Sequence, residues 1–138
     1  MKKVITFIFV VALNMVLFGQ EVRKTIVDTA QNKYFVSLSV VQFADSVKAG
    51  NLLVVDVRTE KEYATGHIEG SVNVVWGNNF DSLLQNANLD KSKTIAVYCR
   101  SGRRSKAASK VLTMKGYNVI ELDKGILGWQ QKGLPVVK

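Results

Sequence analysis

The chain has 138 residues, with 19 lysines and arginines against 11 aspartates and glutamates, a formal net charge of +8. One cysteine and one histidine exclude an internal disulfide and leave too few soft ligands for a structural zinc site, so no metal and no other cofactor is expected. The basic residues form no stripe interleaved with aromatics, which argues against nucleic acid as a partner.

The first segment, "MKKVITFIFVVALNMVLFGQ", puts Lys2 and Lys3 before an apolar run from Val4 to Phe18. Charged start, apolar core and small-residue exit at Gly19 are the order of a secretory signal peptide. The run falls short of the ~20 residues of a spanning helix, so a membrane anchor is the weaker reading. The expected organisation is a signal peptide over 1–19, an N-terminal extension over 20–34 and one domain over 35–138. Export is expected, to the periplasm in a Gram-negative-type host, with no membrane attachment after cleavage. Removing Lys2 and Lys3 leaves 17 − 11 = +6, a moderately basic mature chain.

"KYFVSLS" reads as a first short strand. Ser39 with Gln42 makes a capping box for a helix running to about Ala49, where Gly50 stops it. "LLVVDV" (52–57) is a continuous apolar run, the pattern of a strand buried on both faces of a parallel sheet. Thr59 with Glu62 makes a second capping box, for a short helix ending at Gly66. "SVNVV" is a further strand, and "NNFDSLLQNANL" a loop with one or two helical turns. "TIAVY" is another apolar strand, running directly into Cys99. The segment from about Arg104 to Lys115 has helical apolar spacing at Ala107, Ala108, Val111, Leu112 and Met114. "NVIEL" is a last strand and "GILGWQQKG" a last short helix. Strands alternating with helices predict an α/β domain with a mostly parallel sheet of about five strands, flanked by helices.

Cys99 lies in "YCRSGRRS", at the carboxyl end of a strand, where α/β sheets place their ligands. A buried cysteine serving as a small hydrophobe is the bland alternative. Three arginines and a glycine beside it argue otherwise. The loop feeds a helix, whose first N–H groups are unpaired and whose dipole is positive there. Loop N–H groups around the sulfur would hold it as the nucleophilic thiolate. Gly102 suits a tight loop that needs a positive φ. Arginines at a helix start oppose the dipole, so something else must favour them; an anionic substrate would do so.

Three segments together resemble the single-domain rhodanese group of sulfurtransferases: "VVDVRTEKEYATGHIEGSVNV", "AVYCRSGRRSKAASKVL" and "GYNVIELDKGILGW". The resemblance runs from about Phe35 to Val136 and rests on the combined pattern. It implies a three-layer rhodanese-like domain in which Cys99 takes sulfur from thiosulfate and carries it as a persulfide. Arg100, Ser101, Gly102, Arg103 and Arg104 match the loop that cradles the substrate. The implied partners are a small anionic sulfur donor and a thiol or cyanide acceptor; a monomer is expected. One departure is Lys124, where many relatives carry glycine.

Asp56 and Arg58 end a buried strand and could bind substrate, but tying that strand end to its neighbouring loops is the favoured role. His67 invites a Cys–His pair; the resemblance implies instead a packing and hydrogen-bonding role beside the site. Trp76 and Trp129 read as core or pocket wall. The rival enzyme class is a cysteine-dependent phosphatase or arsenate reductase, whose signature puts five residues between cysteine and arginine. Here four separate Cys99 from Arg104. The third class is a rhodanese module that binds an anion or partner without chemistry; such domains commonly lack the cysteine, which this chain keeps.

Overall fold

A computed structural model describes residues 34–138. The expected signal peptide and nearly all of the expected extension lie outside the described residues. Among the described residues no helix is long and apolar enough to cross a membrane.

Five strands form one sheet: β1 (Val36–Leu38), β2 (Leu52–Asp56), β3 (Val72–Asn73), β4 (Thr94–Tyr98) and β5 (Val119–Leu122). Their order is β1-β5-β4-β2-β3, and every pairing is parallel. Five helices accompany them: α1 (Val40–Ala49), α2 (Glu60–Thr65), α3 (Phe80–Ala87), α4 (Arg103–Met114) and α5 (Gly125–Gln131).

β4 is central, and its side chains alternate between two apolar layers as strand geometry requires. Ile95, Val97 and Cys99 join Leu84 of α3 and Ala108 and Leu112 of α4 on one face. Ala96 and Tyr98 join Phe43 of α1 and Ile126 and Trp129 of α5 on the other. Ile95, Val97 and Tyr98 are fully buried. A large apolar side chain buried this way contributes about 1.5–3 kcal/mol, so this strand is fixed in place by its two layers. The same alternation aims Cys99 at α4.

Both capping boxes form. Ser39 Oγ accepts from Gln42 N at 3.3 Å while Gln42 Oε1 accepts from Ser39 N at 3.1 Å. Thr59 and Glu62 repeat the arrangement at α2.

Three boundaries differ from the sequence reading. β3 keeps only two residues of "SVNVV", because the chain leaves the ladder early, with Val74 N on Asp56 O and Trp76 N on Val57 O. The segment expected as a loop with one or two helical turns contains the eight-residue helix α3, which buries Phe80 and Leu84 and closes on left-handed Asn88. α4 starts at Arg103 rather than Arg104, since Gly102 caps it at φ 106°. The lysine at position 124 has an ordinary backbone, φ −94° and ψ 2°, so that departure imposes no strain.

Candidate active site

β4 ends at Tyr98, and the next residue turns into the loop 99–102 that starts α4. Cys99 is 1% exposed. Its carbon side belongs to the apolar layer under α4. The sequence reading set the basic loop against an apolar burial site; the structure combines them, because Cys99 continues the inward-facing row of β4. Gly102 N–H donates to Cys99 Sγ at 3.1 Å. Ser105 Oγ, one turn into the site from α4, lies 3.4 Å from the sulfur. Burial works against ionisation. The Ser105 hydroxyl and the backbone N–H groups of Ser105, Gly102 and Ser101 outweigh it, and the thiol titrates below its ordinary value.

The loop is braced from behind by the first turn of α5. Cys99 O accepts from Ile126 N at 2.9 Å, and Arg100 O from Leu127 N at 3.2 Å. Gly125, at φ 60°, lies so close that a Cβ there would sit 2.2 Å from Arg100 O. Gly102 is equally tight against Asp123 O.

The arginines divide into two sets. Arg100 and Arg103 are exposed and carry no ion pair among the described residues. Arg104 is engaged. Its Nη1 and Nη2 donate to Glu62 Oε2 and Oε1 at 2.7 and 2.8 Å. That fork joins the first turn of α4 to the capping box of α2, so it ties the loop after β4 to the loop after β2. Arg104 and Cys99 also attract each other across the site once the sulfur is ionised.

Arg104 holds the Glu62 carboxyl at about 2, with the Thr59 bonds assisting against desolvation. The folded value lies below the unfolded one, so the stabilisation is complete above the unfolded value of 4.5 and drains away as pH falls toward about 2. Both side chains are partly exposed, at 27% and 30%. Solvent screening reduces the pair's contribution to roughly 1–2 kcal/mol. Urea midpoints measured across that acid window should therefore converge for wild type and Glu62→Gln, and separate at neutral pH in favour of wild type. Parallel curves at all pH values would refute this account.

Asp56 and Arg58 form a buried pair. Arg58 Nη2 donates to Asp56 Oδ2 at 2.7 Å and to Gly66 O at 2.7 Å, and the guanidinium lies 5.7 Å from the Tyr98 ring centre. Their contacts tie the end of β2 to the turn at Gly66. His67 stacks on Tyr63 with centroids 3.7 Å apart; its Nδ1 lies 3.0 Å from Tyr63 O, and its main chain bridges to Val137. None of these bonds reaches Cys99. Trp129 is core, edge-on to Phe43, and Trp76 packs against Phe80.

Sequence reasoning gave Glu62 a capping role without its fork to Arg104, and missed Ser105, Glu121 and Gly125 at the site. Glu121 carried a signal, a lone charge within the apolar strand "VIEL". It is fully buried, and its carboxylate accepts from Ser105 Oγ at 2.7 Å and Ser37 Oγ at 2.6 Å. Gly125 carried none, because its role depends on a loop 25 residues away in sequence.

A parallel three-layer α/β domain that presents a buried thiol beneath a helix N-terminus, at the end of its central strand, defines the class of protein by its fold and thiol. Within that class the chain belongs to the rhodanese-like domain family, whose model matches residues 39–132. It is 34% identical over 88 residues to a sulfurtransferase of Allochromatium vinosum, covering 63% of this chain and 79% of that one. It is 32% identical over 72 residues to thiosulfate sulfurtransferase PspE of Escherichia coli, covering 52% and 68%. An HTH-type transcriptional regulator of Mycobacterium tuberculosis is 37% identical over 91 residues, 64% of this chain but only 39% of the regulator's length. Among solved structures, a rhodanese-related protein from Thermoplasma volcanium superposes with a TM-score of 0.64 at 31% identity, covering 75% of this chain and 98% of that one.

Proposed function

We propose that the protein is a thiosulfate sulfurtransferase with Cys99 as its nucleophile. The observation that carries this reading is the Cys99 sulfur held by the Gly102 N–H at 3.1 Å under the start of α4, beside two exposed arginines without ion pairs among the described residues. The thiolate attacks the outer sulfur of thiosulfate. The S–S bond of the donor breaks, sulfite leaves with its electron pair, and Cys99 carries a persulfide. The acceptor, cyanide or a thiol, then attacks the outer sulfur and releases the Cys99 thiolate. Arg100 and Arg103 are the groups that hold the donor's sulfonate end, with Ser101 and Gly102 shaping the loop mouth. Arg104 fixes the loop through Glu62. Asp56, Arg58 and His67 support the neighbouring loops. The names of the Allochromatium and Escherichia relatives favour the same chemistry.

The test is intact-mass analysis of the purified domain after thiosulfate treatment. A gain of one sulfur atom on Cys99, discharged by cyanide as thiocyanate, is expected; an unchanged mass would remove the reading. Four residues between Cys99 and Arg104, with Arg104 committed to Glu62, suit a sulfur better than a phosphoryl group, which needs donors aimed at three equatorial oxygens. Aryl phosphate hydrolysis slower than thiosulfate turnover is therefore expected, and the reverse order would favour a phosphatase. The leader reading belongs to the same proposal: protein recovered from its host should begin near Gln20, and a soluble pool retaining Met1 would contradict export.

A further inference from the structure

The sulfur that must ionise has almost no solvent contact, so its proton needs a route out. The backbone N–H groups around it are donors, and the Ser105 hydroxyl is the one side-chain polar partner found for it among the described residues. His67 is bonded elsewhere. From Ser105 Oγ the chain of contacts continues to Glu121 Oε1 at 2.7 Å, and from Glu121 Oε2 to Ser37 Oγ at 2.6 Å. Ser37 is exposed, on the edge strand β1. A buried polar line thus runs sideways from the sulfur, behind the loop, to the far edge of the sheet.

We propose that Glu121 is the internal proton acceptor for Cys99, reached through Ser105 and connected to solvent through Ser37. The inference rests on Cys99 being the nucleophile of the reading above. Ser105 has one hydroxyl hydrogen, and three groups compete for it: Glu121 Oε1, Gly102 O at 3.0 Å and the sulfur. In the thiol state the S–H donates to Ser105 Oγ and Ser105 donates to the carboxylate. Ionisation moves the S–H proton to Ser105 Oγ while the hydrogen of Ser105 passes to Glu121. The sulfur keeps its electron pair, the carboxylate becomes a carboxyl group, and Ser105 turns its hydrogen toward the thiolate. Pocket charge is unchanged. The carboxyl proton then passes to Ser37, which releases its own to water.

The surroundings suit a charge that moves between two sites. Lys106 of α4 faces the carboxylate, its Nζ 3.6 Å from Glu121 Oε2 and 2.8 Å from Asp123 Oδ1. From β1 the facing group is Ser37, and from β4 the register partner is Val97. The ionised sulfur lies in the field of Arg104, and Asp56 also interacts electrostatically with Arg104.

Two groups that share a proton titrate as a pair. Between the two macroscopic steps the proton count is fixed, so the thiolate fraction does not change with pH. The rate of Cys99 alkylation by iodoacetamide, followed against pH, should therefore rise in two steps with a plateau for wild type. Glu121→Gln, nearly isosteric, should lose the plateau and show one step. Ser105→Ala should do the same by cutting the line while leaving Glu121 in place, and it decides the matter if the glutamine variant fails to fold. A single step in wild type, or a plateau that persists in both variants, overturns the proposal. Alkylation involves no sulfur donor, so a domain that ignores thiosulfate yet shows the plateau would sink the donor assignment and leave the proton line standing.

Discussion

Cys99→Ser is expected to reduce thiocyanate formation to the assay floor, a loss on the order of the 10⁶-fold seen when a catalytic nucleophile is deleted. The loop that holds the sulfur is built by backbone and by other side chains. Gly102 N–H, Ser105 Oγ and the brace from Ile126 and Leu127 all remain in the variant. A hydroxyl is far harder to ionise than a thiol, and N–H donors that favour a thiolate do not bring a serine within reach of neutral pH. The fold should be nearly unaffected, since serine fills almost the same space and inherits both hydrogen-bond partners. Equal far-ultraviolet dichroism with no persulfide by mass is the expected pair of results. Turnover that survives in this variant would mean that the sulfur passes through some other group.

How far this site could be read without coordinates depends on whether its parts are local in sequence. The apolar runs of β2 and β4, both capping boxes and the positive φ of Gly102 are local, and each is found. The cysteine loop is local too, because strand, thiol, glycine and helix follow one another within a dozen residues. What could not be read is the support. Arg104 looked like a substrate arginine from its place in the loop, yet its fork is closed by Glu62, 42 residues earlier. Glu121 and Ser37 come from strands that neighbour each other only because β1 pairs with β5. A single sequence does not reveal a parallel sheet's strand order, so the polar line behind the sulfur was invisible even though each of its residues was in view.

Gly125→Ala is the variant in which that non-local support should show most strongly. The residue sits at φ 60°, where a Cβ costs roughly 1–2 kcal/mol on steric grounds alone. A Cβ there would also lie 2.2 Å from Arg100 O, 2.4 Å from Arg100 C and 2.6 Å from Ser101 N, all of them backbone atoms of the sulfur loop. No side chain can swing aside to relieve those contacts, so either the loop or the start of α5 must shift. The loop cannot shift freely, because Ile126 N and Leu127 N hold its Cys99 and Arg100 carbonyls. A displacement of about 1 Å at a reacting group can cost ~10²-fold in rate, and that loss in kcat/KM is the expected result, together with about 1–3 kcal/mol of stability lost to overpacking. Because the same shift loosens the Gly102 N–H from the sulfur, alkylation of Cys99 should also need a higher pH. Gly116→Ala is the matched control: it too has a positive φ, 92°, but nothing lies within 4 Å of its would-be Cβ, beyond the far end of α4. It should lose stability and keep its rate. If the two variants lose activity equally, or neither does, the start of α5 is not what holds the sulfur loop in its working shape.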